Sequence, residues 1–155
     1  MSIISEKLKS LGIALPVPAS PVAAYAPYVI TGNLVFVSGQ IPLEDGKVKF
    51  TGMLGKDMDT ARGYEAARLC GLNILAQLNA ACGGDLGKVE ACVKLGGFVA
   101  SAPDFFDHPQ VVNGASELME AVFGEKGKHA RFAVGVASLP KNAAVEVDAV
   151  FALRA

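Results

Sequence analysis

Residues 129–153 read HARFAVGVASLPKNAAVEVDAVFAL, two runs of small and β-branched residues on either side of Leu139-Pro140-Lys141-Asn142. Alternation with a period of two around a turn signal predicts two antiparallel strands paired as one long closing hairpin. Each run carries charge among apolar neighbours, Arg131 in the first and Glu146 in the second. Burying a guanidinium or a carboxylate in such a strand is costly, so each is expected to be paired, exposed or kept for a ligand.

Upstream of this stretch, Val111, Val112, Ala115, Leu118, Met119 and Val122 form an apolar stripe that predicts a helix from about His108 to Phe123, with Asp107 as its cap. Val89 to Ser101 reads as a strand in which Gly96-Gly97 marks a bulge. From Asp59 to Cys82, residues Ala67, Cys70, Ile74, Leu78 and Ala81 share one helix face, and Gly83-Gly84 stops the helix. Its many alanines and glycines suit close approach to a sheet. Tyr28–Thr31 and Leu34–Ser38 read as a hairpin whose Gly32-Asn33 pair supplies positive φ, and Lys47–Phe50 as an edge strand widening that sheet to three. Four prolines, at 16, 18, 21 and 27, make the segment before it an extended connector. Ile3, Ile4, Leu8 and Leu11 predict a short opening helix that ends at Gly12.

The order helix, three strands, long helix, strand, helix, two strands predicts an α/β (α+β) fold with two helices packed on one face of a mixed sheet. A length of 155 residues fits a single domain, 1–155, with residues 1–14 as an N-terminal helical appendage. Hydrophobic residues make up 52% and charged residues 19%, an apolar surplus that points to a subunit interface and a homo-oligomer. A net charge of −1 offers no footprint for nucleic acid or an acidic membrane surface. The N-terminus lacks the apolar core of a signal peptide, and a cytoplasmic location is expected.

Several chemistries are poorly served by this composition. Cys70, Cys82 and Cys92 show no C-x-x-C spacing and read as free buried thiols, and with His108 and His129 as the only histidines no metal-ligand pattern forms. Gly124-Glu125-Lys126-Gly127-Lys128 follows a helix instead of opening one, which is the wrong context for cradling phosphate. Ser38 lacks the G-x-S-x-G setting of a nucleophile. The remaining polar set is Tyr28, Ser38 with Gly39, Arg131 and Glu146. An arginine can hold a carboxylate in a bidentate fork, a glycine lets a ligand approach the backbone, and a carboxylate can position and deprotonate water.

Ser38-Gly39-Gln40-Ile41-Pro42, Ala130-Arg131, Leu139-Pro140-Lys141 and Val145-Glu146-Val147-Asp148-Ala149 together resemble the RidA (YjgF) family in order and spacing, from about Ala26 to the C-terminus. The opening helix resembles that of its longer subgroup. The resemblance implies a chorismate-mutase-like fold and a homotrimer with inward-facing sheets and ligand clefts between adjacent subunits. It also implies cofactor-independent hydrolysis of enamines and imines, such as 2-aminoacrylate and 2-iminopropanoate, to 2-keto acids and ammonia, with no metal. Arg131 matches the arginine that grips the substrate carboxylate and Glu146 the glutamate that orients the attacking water. Tyr28, Ser38, Gly39 and the backbone N–H of Ala133 match positions beside the substrate. Where members of the family commonly have a small hydroxyl residue and then cysteine or another small residue after the arginine, this chain has Phe132 and Ala133, and His129, on the face of Arg131 by strand alternation, replaces the usual apolar or proline neighbour. Against this stand three other readings: a structural ion pair between Arg131 and Glu146, cross-strand or intersubunit, a non-catalytic binder of small carboxylates at the same clefts, and a ribonuclease, which the charge balance disfavours.

Overall fold

Strand β5, Val89–Ala100, is the longest strand and pairs on both of its edges. It carries β7, Val145–Leu153, antiparallel on one side and β6, Ala130–Val136, parallel on the other. Beyond β7 lie β2, Leu34–Gln40, and β1, Tyr28–Thr31, so the sheet order is β1-β2-β7-β5-β6. The computed structural model describes residues 2–21 and 23–155; Met1 of the appendage and Val22 of the connector lie outside the described residues.

This order overturns the closing hairpin. β6 and β7 lie close in sequence across a 3-10 turn at Pro140–Asn142, yet β5 sits between them. A parallel neighbour needs a long crossover. α3, His108–Phe123, supplies it between β5 and β6, leaving β7 to pair with the other edge of β5. The expected third strand also lies outside this sheet: β3, Leu43–Glu44, and β4, Lys47–Val48, form a separate two-stranded ribbon.

α3 and the longest helix, α2, Thr60–Ala81, pack on one face of the five-stranded sheet, as the order of elements predicted. Val145, Val147, Ala149 and Phe151 of β7, with Leu95 and Val99 of β5, turn inward to meet Ile74, Leu78, Val112 and Met119, all at most 3% exposed. The glycines of α2 serve the contact with the other helix. Gly71 packs on Ala115 and Leu118, and Gly63 on Val111, while a Cβ at Gly114 of α3 would strike the backbone of Tyr64. α1, Ile3–Ser10, uses Ile4 and Leu8 to pack on this core.

Other local expectations are corrected too. In the β1–β2 turn Gly32 alone has positive φ, 58°; Asn33 instead donates through its amide to Leu153 O at 3.3 Å. The bulges of β5 fall at 89–91 and 92–94, away from Gly96-Gly97, which keep regular register with β6 and β7. Asp107 makes no side-chain capping bond, and Pro109 in the first turn of α3 removes one donor that would have needed it.

Candidate functional site

Strand alternation assigns each polar residue to a face. Arg131 and Ala133 are in register with Leu95 and Gly97, which face the helices, so both lie on the helix side of the edge strand β6. Glu146 and Asp148 are in register with Phe98 and Gly96 and lie on the opposite, open face. Arg131 and Glu146 therefore occupy opposite faces, on strands separated by β5. An ion pair between them within one chain is excluded, and neither takes part in a salt bridge among the described residues.

Arg131 docks on α3. Its Nη1 donates to Asn113 Oδ1 at 2.8 Å and Ser116 Oγ at 2.9 Å, and its Nη2 to the Pro109 carbonyl at 3.2 Å. All three acceptors are neutral and recur at helical spacing. With three of the five N–H donors engaged, two have no acceptor among the described residues. Partial burial pulls the arginine pKa down from its usual value. Ala133 packs partly buried against the core one strand period further on.

Glu146 belongs to a second corner of the molecule. Its carboxylate lies against Gly39, where an added Cβ would strike Oε2, so this glycine is required for room and not for φ. Gly39 falls in the irregular stretch where the pairing of β2 with β7 shifts between Val37 and Gln40. A cavity of about 110 Å³ opens here, lined by Glu146, Gly39, Gln40, Lys141, Tyr25 and the connector at Ala19–Pro21. Two buried amides of α2 hold its walls: Gln77 donates to Ala19 O at 2.7 Å, and Asn73 to Ile41 O and Leu43 O at 3.2 and 3.0 Å. Burial, and next the neighbouring Asp148, raise the pKa of Glu146 from its ordinary value.

The two other candidates fall beside this corner without joining it. Tyr28 is in register with Val37 on the helix side of β1 and packs against the core. Ser38 donates its hydroxyl to Ala26 O at 2.6 Å, tying β2 to the connector. β1 and β6 are the two edges of the sheet, so Tyr28 and Arg131 stand four strand spacings apart, about 19 Å. Phe132, the departure after the arginine, points to the open face, where its ring meets Phe98 edge-on at 5.2 Å and Lys94 lies 5.4 Å from its centroid. It does not enter the Arg131 corner.

Sequence reasoning missed Asn113, Ser116, Asn73 and Gln77. Each sits next to an apolar helical stripe as an isolated polar residue, and the spacing Pro109, Asn113, Ser116 places three acceptors on one face of α3. Buried polar groups so placed need partners, and that requirement is the signal that could have found them.

Residues 5–153 match the family described as "YjgF/chorismate mutase-like, putative endoribonuclease". The chain belongs to the YjgF/RidA family. It is 48% identical over 151 residues to the protein TCP17 of Trypanosoma cruzi, covering 97% of this chain and 94% of that one. It is 29% identical over 138 residues, 89% of this chain and 92% of the relative, to a 2-iminobutanoate/2-iminopropanoate deaminase of Dermatophagoides farinae. Among solved structures, Atu1372 of Agrobacterium tumefaciens, of unknown function, superposes with a TM-score of 0.91 at 52% identity, over 97% and 92% of the two chains. A Shewanella oneidensis MR-1 protein superposes at 0.94 with 34% identity, over 98% and 100%. The chorismate-mutase-like fold expected of the chain is the one it has. Among the described residues no helix is long and apolar enough to cross a membrane.

Proposed function

We propose that this RidA-family protein, as a single domain, hydrolyses reactive enamines and imines of the 2-aminoacrylate and 2-iminopropanoate type to 2-keto acids and ammonia, without a cofactor. The observation that carries this reading is the state of Arg131. Its guanidinium is clamped by three neutral oxygens and keeps two N–H donors, the number one carboxylate takes in a bidentate fork. Glu146, with its pKa raised, is a better base for water than an ordinary carboxylate. A protonated imine is already electrophilic, so fixing the carboxylate and placing a water is most of the task. The deaminase relative supports the same chemistry.

A working cleft then needs two chains. One chain presents Arg131 and Ala133 at the β6 edge and Glu146 with Gly39 at the cavity beside β2, Ser38 and Tyr28 lying next to that corner. A head-to-tail interface that joins one corner to the next chain's other corner closes into a ring, and a homotrimer is the closure we propose. Val29, Phe36 and Val134 on the open sheet face are 56%, 43% and 42% exposed, an apolar surface suited to such burial. The three free thiols, Cys70, Cys82 and Cys92, suit a reducing compartment such as the cytoplasm.

The test is pyruvate release from 2-aminoacrylate generated in situ. Acceleration by the wild type and its loss in Arg131→Met support the reading. Saturable binding of a 2-keto acid without turnover would instead make the protein a carboxylate binder.

A further inference from the structure

The hydrogen bonds of Arg131 do not stop at α3. Ser116, 9% exposed, lies between Arg131 Nη1 at 2.9 Å and His129 Nε2 at 2.8 Å, and the other ring nitrogen of His129, Nδ1, lies 2.7 Å from the carbonyl of Gly127. Both ends of this chain of bonds have fixed polarity. The Gly127 carbonyl can only accept, so Nδ1 carries the hydrogen. A guanidinium can only donate, so Ser116 Oγ must accept from Arg131. The serine hydroxyl hydrogen is then free to be donated to Nε2, which accepts in the neutral ring. The bonds joining Gly127, His129, Ser116 and Arg131 are all compatible with one arrangement of hydrogens, so this part-buried series is internally consistent.

From this geometry we infer that Ser116 and His129 are positioning residues for the carboxylate-binding arginine. Ser116 holds one corner of the guanidinium, and His129 fixes the serine rotor so that a lone pair faces Nη1. Together with Asn113 and the Pro109 carbonyl, they hold the guanidinium on α3 through three of its N–H groups and leave two unpaired among the described residues. A free arginine side chain would have to be ordered at each binding event, at an entropic cost that this network removes in advance. The structural reason for the histidine at the entrance to β6 is therefore support for Arg131 from behind.

The inference rests on Arg131 binding the substrate carboxylate, and the experiment keeps the two apart. Steady-state kinetics on an imino acid and on the corresponding imino amide, which lacks the carboxylate, are compared for Ser116→Ala, Ser116→Thr, His129→Phe, Arg131→Met and the double variant His129→Phe with Arg131→Met. Loss of the serine hydroxyl or of the imidazole is expected to raise KM for the imino acid about three- to tenfold with kcat within about twofold. Ser116→Thr, which keeps the hydroxyl, restores KM, and the imino amide is unaffected throughout. In the Arg131→Met background His129→Phe adds nothing. Unchanged KM in both Ser116→Ala and His129→Phe, while Arg131→Met loses carboxylate affinity, overturns the positioning role and leaves the function intact. Independent, additive effects of His129→Phe and Arg131→Met overturn that role as well. An Arg131→Met variant with unaltered kinetics overturns both the role and the function.

Discussion

The Arg131 corner and the Glu146 corner of this chain are built on opposite principles. Arg131 sits on an edge strand, is held by side chains of a helix, and is oriented by neutral acceptors that leave its charge uncompensated. Glu146 sits on a central strand, is accommodated by the missing side chain of Gly39, and shares its face with a second acid, Asp148. The first arrangement fixes a cation without neutralising it, which suits binding an anion. The second destabilises an anion, which suits proton transfer. Neither corner can do both, and the sheet keeps them apart within one chain.

Disabling one corner at a time should produce the largest and most divergent effects. Glu146→Gln is expected to lower kcat by about 10²- to 10⁴-fold with KM little changed, the usual cost of losing a general base. Arg131→Met should act mainly through KM, lowering kcat/KM by roughly ten- to a hundredfold, since a charge-assisted bidentate contact contributes about 1.5–3 kcal/mol. Mixing the two impaired variants after dissociation and reassembly should restore up to about a quarter of the sites, read at substrate concentrations well below the raised KM, if each cleft takes its arginine from one chain and its glutamate from the next. No recovery in a mixed assembly shown to contain both variants would put the two residues to separate uses.

A smaller effect is expected at Gly39. Gly39→Ala drives a methyl group into the Glu146 carboxylate and should destabilise the fold by about 1–3 kcal/mol unless Glu146 swings aside, in which case stability holds and kcat falls. Thermal melts and kinetics on the same sample tell these outcomes apart, and a variant normal in both would remove the steric role assigned to this glycine.

The difference between the corners also explains what the sequence could and could not reveal. Helix ends and strands were legible from periodicity: α2 and α3 run at 60–81 and 108–123, within a residue of their stripes and stops. Pairing was not legible. Ala130–Val136 and Val145–Leu153 alternate correctly for strands, but alternation says which face a residue takes and nothing about its neighbour. The α3 crossover, which makes β6 parallel to β5, decides the neighbour, and a short turn after β6 only looks like a hairpin. Faces survive such an error. His129 was correctly placed on the side of Arg131, whereas the idea of a cross-strand ion pair with Glu146 inside one chain depended on pairing and failed with it. Tyr28 was beyond local reading altogether, because its place at the opposite edge from Arg131 is a property of the whole strand order.

The mildest expected effect concerns pH. Burial raises the carboxyl pKa values of Glu146 and Asp148, so the folded chain binds protons more readily than the unfolded one. For groups shifted in this direction the favourable contribution to stability is complete below the unfolded carboxyl pKa and is lost as pH rises through the raised folded values. Replacing Glu146 with Gln removes that loss. The melting temperature of Glu146→Gln is therefore expected to gain on the wild type as pH is taken from the acid side of the carboxyl range to neutrality, and Asp148→Asn should do the same. Parallel Tm profiles for variant and wild type across that window would mean that the open face leaves its acids as well solvated as the unfolded chain does. The glutamate would then have no advantage as a base over any surface carboxylate, and the contrast between the two corners would shrink to the clamp on Arg131.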